Sequence, residues 1–594
     1  VSDHSDSQPV YIQSGSNQLF GVYHDAASRQ AAVLIVAPWG WDETASYRPR
    51  KGWAEQLAAA GHPTLRFDLP GVGDSSGSAG DPGIFADWID AVSDAARWLR
   101  DRSGRSRVVV LGLGLGGLLV AAAAEVGAEV DELVLWAVPS RGKRFLREVD
   151  SFARVQAWGA GRGEESPLPE GWVEAGGFVL SAETADALRT MPPPLSSVPE
   201  GLRRVLVLDR DGLTADKGLV ERLESANVET TSAAGPGWGA MVVHPERSEL
   251  PQETIDRVAA WLTAPDAEAE AVATDSGAAP ATLARLELPD QGISERTVSM
   301  AHPDGHTFGI IAEPLGERAD LCAVFLNAGA VRHIGPNRNW VENARRWAAR
   351  GVPAIRVDLQ GIGEAEDGRL GNSGITGFYD ERYAPQIAAV LDELQRFGYG
   401  PRFVCLGLCS GAFWSLQYAD RDPRVVGAVL LNAGAIFWDQ NLRARRQGRL
   451  LSKAVSSGES WRRLLRGDVD LRRKLVFLQG LFKAWLKRAA RALRRSPRVE
   501  QPQRDTATLF DRLRARDKRI ALAFCANEPV LAELTAEGII ARIDQWPNIR
   551  FALLEGEDHA LGPISAQRHA AEIVDRELDL VLEDEEVTAA PSRS

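Results

Sequence analysis

The sequence predicts an α/β protein made of two tandem copies of one mainly parallel sheet flanked by helices. Three observations predict it. The chain repeats itself: residues 54–75 read AEQLAAAGHPTLRFDLPGVGDS, residues 344–365 read ARRWAARGVPAIRVDLQGIGEA, and about 10 of the 22 positions are identical at a constant offset. Each copy of the repeat has the same local order: a helix with apolar periodicity, a glycine stop, a short apolar strand ending in Asp-Leu, and a Gly-x-Gly turn. Further apolar strands bracket both copies, Val33 to Ala37 and Ala323 to Leu326 before the repeat, Val108 to Gly117 and Phe403 to Gly411 after it. Strands alternating with helices imply parallel strands covered on both faces.

A chain of 594 residues suggests two to four domains by length alone. The first copy is expected over residues 1–264. A linker follows at 265–282, in the Ala-, Glu- and Pro-rich run APDAEAEAVATDSGAAPAT, which has no apolar period. The second copy is expected over 283–584, with a disordered tail at 585–594. Apolar content of 44% and charged content of 25% are those of a globular protein, so either half can bury a core. The net charge of -13 argues against nonspecific nucleic-acid binding. Four cysteines in so long a chain make no disulfide framework. Cys322, Cys405 and Cys525 lie in apolar runs and read as core thiols. No CxxC pair or histidine cluster points to a metal, and no cofactor is expected. The opening Val1-Ser2-Asp3-His4 is polar and acidic, and no apolar run reaches membrane-spanning length, so a cytoplasmic protein is expected.

The two copies differ at one turn. After the strand FVCLGL the second copy reads Gly407-Leu408-Cys409-Ser410-Gly411; the first reads Gly112-Leu113-Gly114-Leu115-Gly116-Gly117. This strand–turn–helix element, with the order of elements around it, resembles the α/β-hydrolase superfamily, and the resemblance covers nearly the whole chain twice. There the turn is Gly-x-nucleophile-x-Gly, with small residues because the turn is sharp. The register puts Cys409, not Ser410, at the nucleophile position. Gly114 holds that position in the first copy and has no side chain to react, so the first copy reads as a pseudo-domain.

The resemblance also implies where the rest of a site lies. The superfamily carries its histidine after the last strand, and Gly556-Glu557-Asp558-His559 matches that loop; His569 is the weaker candidate. The acid follows the preceding strand, which points to Glu528, with Asp558 as the fallback. Glutamate suits the role, which is to orient the imidazole and stabilise its cation. The oxyanion hole is expected from the Ser410 N–H and from Gly329 or Ala330 in the loop Asn327–His333. Arg332 and His333 are expected to bind a polar or anionic acyl donor, with a surface role as the alternative. In the first copy Gly237-Trp238-Gly239 stands where the histidine would be, and His244 comes too late.

Residues 441–500 carry about 18 Lys and Arg against four acidic residues. They fall where the superfamily inserts a cap, here about 438–508. Leu471, Leu475, Leu478, Phe482, Trp485, Ala489 and Leu493 recur at helical spacing. An ordinary lid accounts for this pattern. So does a docking surface for an acyl carrier protein, a contact to coenzyme A phosphates, or weak association with an anionic membrane.

A cysteine at the elbow gives a thioester acyl-enzyme, open to capture by an alcohol, amine or thiol as well as water. The elbow resembles those of cysteine-type thioesterases, dienelactone hydrolases and polyhydroxyalkanoate synthases; it departs from the synthases at Ala412, where they carry a second glycine. The segments NAGAVRHIGPNR and GLCSGA resemble hydrolase-like proteins encoded beside bacterial polysaccharide and natural-product pathways, which implies acyl transfer in specialised biosynthesis. The expected function is therefore an acyltransferase or thioesterase acting on an acyl thioester or ester. Ester or lactone hydrolysis and a noncatalytic scaffold are the alternatives.

Overall fold

A computed structural model describes residues 7–27, 30–159, 168–263, 285–365, 374–438 and 505–589. The expected linker, and the expected cap between residues 439 and 504, lie outside the described residues. Residues 435–509 form one structural unit, described only at its two ends; the rest of the chain forms another, which holds both sheets.

The first sheet takes its strands from β1 (Ser7–Ser14), β2 (Asn17–His24), β3 (Ala32–Val36), β4 (Thr64–Phe67), β5 (Val108–Leu113) and β6 (Glu132–Trp136). After a separate hairpin, β7 (Val173–Ala175) and β8 (Phe178–Leu180), it adds β9 (Arg204–Leu208) and β10 (Glu229–Ala233). Its order is β1-β2-β4-β3-β5-β6-β9-β10. The second sheet uses β11 (Leu286–Leu288), β12 (Ile293–His302), β13 (Gly305–Pro314), β14 (Leu321–Phe325), β15 (Ala354–Asp358), β16 (Arg402–Leu408), β17 (Val425–Leu431), β18 (Arg519–Phe524) and β19 (Ile549–Leu553). Its order, β11-β12-β13-β15-β14-β16-β17-β18-β19, repeats the first with one strand added at the edge. From β4 and from β15 onward every pairing across the sheet is parallel, while the leading hairpins are antiparallel.

The central strands are apolar along their whole length because helices cover both faces. All five residues of β3 and all five of β14 are buried. The crossover helices show the complementary stripe. In Ile84–Ser103 the buried positions Ile84, Trp88, Ala91, Val92, Ala95 and Leu99 recur at intervals of three and four, and the helix stops at Gly104, whose φ is 64°. The last helix, Ile564–Ala589, carries helical structure into residues 585–589, where the sequence reading expects a disordered tail.

The two copies meet through their leading hairpins and the turns after β4 and β15. Tyr11, Phe20 and Val22 of the first copy share an apolar cluster with Leu286, Phe308, Ile310 and Ala365 of the second. Arg66 Nη2 lies 3.0 Å from Glu364 Oε1, and Arg356 Nη1 lies 3.2 Å from Asp74 Oδ1. In the repeat Arg66 aligns with Arg356 and Asp74 with Glu364, so the two ion pairs are the same contact made in both directions. That reciprocity is the mark of a two-fold interface, here formed within one chain.

Candidate active site

The elbow between β16 and the helix Ser410–Arg421 is built by close backbone approach. A Cβ on Gly407 would lie 2.1 Å from the carbonyl carbon of Gly411, and one on Gly411 would lie 2.7 Å from the Asn327 carbonyl oxygen. Only glycine fits at either place. Cys409 between them adopts φ 58°, ψ -110°, a left-handed conformation that a non-glycine residue takes at a cost. The strain turns the thiol away from the strand, and the side chain is only half-buried. Burial distinguishes it from the other thiols: Cys322 and Cys405 are fully buried, and burial pushes the Cys405 pKa up to about 12.

His559, after β19, meets Glu528 at the end of β18. Its Nδ1 is 2.8 Å from Glu528 Oε1. The Glu528 carboxylate is buried and begins the helix Pro529–Ala536, whose N-terminus favours a negative charge. With Nδ1 committed to Glu528, Nε2 is the ring nitrogen left for the Cys409 sulfur. Burial works against the imidazolium; Cys409 and Glu528 outweigh it and push the His559 pKa up to about 10. The side chain remains 45% exposed, so water screens part of these interactions. Asp558 plays no part in this contact, because its carboxylate accepts from the N–H groups of Ala560 and Gly562 at 3.1 and 2.8 Å. The His569 Nδ1 accepts from the Glu555 N–H at 3.3 Å.

The loop after β14 lies beside the elbow. The Gly329 N–H donates to Ser410 Oγ at 3.0 Å. The N–H groups of Ala330 and of Ser410, at the first turn of its helix, have no acceptor among the described residues. Of the two residues expected as second donor, Ala330 is thus the one with a free N–H. It lines a cleft bordered by Thr44, Tyr47, Arg48 and Glu246 of the first copy and by Gly361, Phe378 and Tyr383 of the second.

Arg332 and His333 turn toward carboxylates of both copies. Both are buried, and their partners are internal. Arg332 Nη2 reaches Asp68 Oδ1 at 3.0 Å and its Nη1 reaches Asp74 Oδ2 at 3.3 Å, while the Tyr47 ring lies under its guanidinium at 4.1 Å. His333 bridges two carboxylates, with Nδ1 2.6 Å from Asp358 Oδ2 and Nε2 2.7 Å from Asp74 Oδ2. Both nitrogens of the His333 ring are thus engaged, whereas Arg332 lines the same cleft as Ala330 and its Nε has no hydrogen-bond partner among the described residues. Burial disfavours the His333 cation, but Asp74 and Asp358 outweigh it and push its pKa up to about 9.

In the first copy Gly114 repeats the elbow backbone, with φ 54° and ψ -120°. A Cβ there would lie 3.2 Å from the Trp238 ring and 3.4 Å from Pro38 Cβ. Trp238 is buried, and its indole occupies the space in front of the elbow. His244 stacks against Trp41 instead. At this elbow the first copy carries no nucleophilic side chain, and a Cβ would crowd Trp238 and Pro38.

Two residues near the site escape the sequence reading. The Tyr379 hydroxyl lies 3.6 Å from Cys409 Sγ, close above Gly434. Asn432, at the end of β17 with φ 42°, donates from Nδ2 to the His559 carbonyl at 3.0 Å and accepts from the Cys525 N–H at 2.8 Å. It ties the histidine loop to the strand that carries Glu528. No motif marks Tyr379; an asparagine closing an apolar strand was the available signal for Asn432.

Comparison with known proteins agrees with this architecture. Residues 40–160 match a family model described as alpha/beta hydrolase fold, and residues 323–576 match one described as alpha/beta hydrolase family. The chain thus carries the α/β-hydrolase fold twice in tandem. Among solved structures it is similar to Est1E of Butyrivibrio proteoclasticus with ferulic acid bound, at 16% identity and a TM-score of 0.31, covering 42% of this chain and 97% of that one. It is similar to an esterase of Pyrococcus furiosus at 19% identity and a TM-score of 0.31, covering 43% of this chain and 90% of that one. An esterase of Exiguobacterium antarcticum is similar at 14% identity and a TM-score of 0.31, covering 43% of this chain and 100% of that one. No curated protein matches the sequence. Among the described residues no helix is long and apolar enough to cross a membrane, and no group of metal-ligating side chains is found.

Proposed function

We propose that the second copy is an acyltransferase or thioesterase that works through an acyl-enzyme on Cys409. The Cys409 sulfur attacks the acyl carbon of a thioester or ester, and its proton passes to His559 Nε2. The tetrahedral oxyanion is held by the N–H groups of Ser410 and Ala330. Collapse breaks the bond to the leaving thiol or alcohol, which takes the proton from His559 and departs. The acyl group then passes to an acceptor hydroxyl, amine, thiol or water, deprotonated by His559, and the Cys409 thiol is regenerated. Glu528 fixes the imidazole tautomer and stabilises its cation throughout.

The observation that carries this reading is the His559 imidazole held at Nδ1 by buried Glu528, together with the half-buried Cys409 thiol on its strained elbow. The loss of nucleophile and histidine in the first copy supports it by contrast. A thioester donor on an acyl carrier protein or coenzyme A, met by the basic residues of 441–500, belongs to the same proposal, as do a cytoplasmic setting and a role in specialised biosynthesis.

The test is turnover of a panel of acyl thioesters and nitrophenyl esters with and without added alcohols and amines. Product that depends on the acceptor supports transfer; rapid release into water alone means hydrolysis. Full turnover by Cys409→Ala rules out the mechanism in either case.

A further inference from the structure

We propose that the first copy is a positioning partner of the second: Glu43, Asp68 and Asp74 hold Arg332 and His333, and through them the loop that presents the oxyanion donor. The proposal rests on the reading of Cys409 as an acyl-accepting nucleophile.

The loop Asn327–His333 is pinned at both ends, and every pin leads to one carboxylate cluster. At its start, Asn327 Nδ2 donates to Asp358 Oδ1 at 3.0 Å and to the Val331 carbonyl at 3.1 Å. At its end, the His333 N–H donates to the same Asp358 Oδ1 at 2.6 Å. The His333 ring then crosses from Asp358 to Asp74 of the first copy. Arg332 adds Asp68 and, at 3.4 Å, Glu43. Between the pins sit Gly329, which is tied to Ser410 Oγ, and Ala330, whose N–H is unengaged. The first copy also touches this turn from outside: a Cβ on Gly329 would lie 2.8 Å from Glu246 Oε1.

Burying this many charges is a costly way to join two domains, since apolar residues of the same volume hold as well or better. What a charged cluster supplies is direction. Each hydrogen bond fixes an angle as well as a distance, and an oxyanion donor acts only if it is aimed in advance. The reciprocal contact, Arg66 with Glu364, reaches the loop only at second hand: the Glu364 N–H donates to Asp358, and its carboxylate accepts from the Tyr47 hydroxyl, whose ring lies under Arg332. Only the other direction of the pseudo-two-fold sets carboxylates of the first copy directly on loop residues beside a nucleophile.

The test separates two reactions of the same sulfur in the full chain. Acylation by the hexanoyl thioester of N-acetylcysteamine passes through an oxyanion. Alkylation by iodoacetamide forms the S–C bond and expels iodide at a saturated carbon, with no oxyanion. His333→Gln and Asp74→Asn are each expected to slow acylation about 10- to 100-fold while alkylation of Cys409 stays within about threefold. Leu286→Ala opens the apolar cluster between the copies and serves as the control for interface damage; it is expected to leave the ratio of the two rates unchanged. Circular dichroism identifies any variant that does not fold, and the ratio is then read from the other. Parallel loss of both reactions, or no change in the ratio, overturns the proposal while the unaltered chain still acylates. If the unaltered chain is alkylated at Cys409 but never acylated, the nucleophile reading fails and takes the proposal with it.

Discussion

Glu528→Gln isolates the acid from the rest of the site. The substitution keeps the size of the side chain and removes its charge. Glu528 is buried, and its Oε1 lies 2.8 Å from His559 Nδ1. Asp558 is committed to two backbone N–H groups, so no neighbouring carboxylate takes over. Neutralising a fully buried orienting carboxylate in a catalytic triad costs about 10⁴ in rate. His559 is 45% exposed, so water replaces part of what is lost, and a fall of about 10²- to 10³-fold in single-turnover acylation is expected. The proton affinity of His559 moves with it. Its pKa is raised to about 10 by Cys409 and Glu528 against burial, and losing Glu528 lowers it. Stopped-flow acylation gives the rate, and the histidine Cε1 proton resonance gives the titration. A rate within about threefold of the unaltered chain, or an unmoved titration, refutes Glu528 as the orienting group.

Three further outcomes follow from the geometry. Gly114→Cys is not expected to create a second reactive site, because the new Cβ meets Trp238 at 3.2 Å and Pro38 at 3.4 Å; intact mass after iodoacetamide should still show a single adduct, with overpacking costing about 1–3 kcal/mol in a denaturant titration. Arg66→Met takes the guanidinium from buried Glu364, which keeps the Tyr47 hydroxyl and the charge of Lys51, so the destabilisation should fall below the ~3–5 kcal/mol of a fully uncompensated buried charge, and adding Glu364→Leu should recover most of the lost melting temperature. The His333 pKa is raised from its ordinary 6.5 to about 9, so its contribution to stability is complete below about 6.5 and fades as pH rises through about 9; the urea midpoint of the unaltered chain should fall over that window relative to His333→Gln.

The fold was legible because sheet topology leaves a strong trace in sequence. Glycines at Gly407 and Gly411 mark a turn where no Cβ fits, and the all-buried runs of β3 and β14 mark strands covered on both faces. The meeting of His559 with Glu528, and the place of Cys409 at the elbow, were legible for a related reason: each sits in a short loop at a strand end, where the element order fixes its place. The first-copy partners of Arg332 and His333 were not legible. A cation beside an oxyanion loop looks like a ligand contact when its partners, Asp68 and Asp74, are more than 250 residues away in the chain. The clue lay inside the repeat, where Arg66 and Arg356 are identical, Asp68 and Asp358 are identical, and Asp74 aligns with Glu364. Charges kept in apolar strands of both copies had to face carboxylates, and Arg66 and Arg356 find them on the other copy. Tyr379 was not legible, because it reaches Cys409 through the fold of a segment that carries no motif.

The central claim is that Cys409 becomes acylated. Intact-protein mass spectrometry after brief exposure to the hexanoyl thioester, followed by peptide mapping, tests it most directly. One acyl group on the peptide that contains Cys409, absent from Cys409→Ala and slow to form in His559→Ala, is the predicted result. An acyl group on Ser410 or on another cysteine, or none at all while product still accumulates, would contradict it.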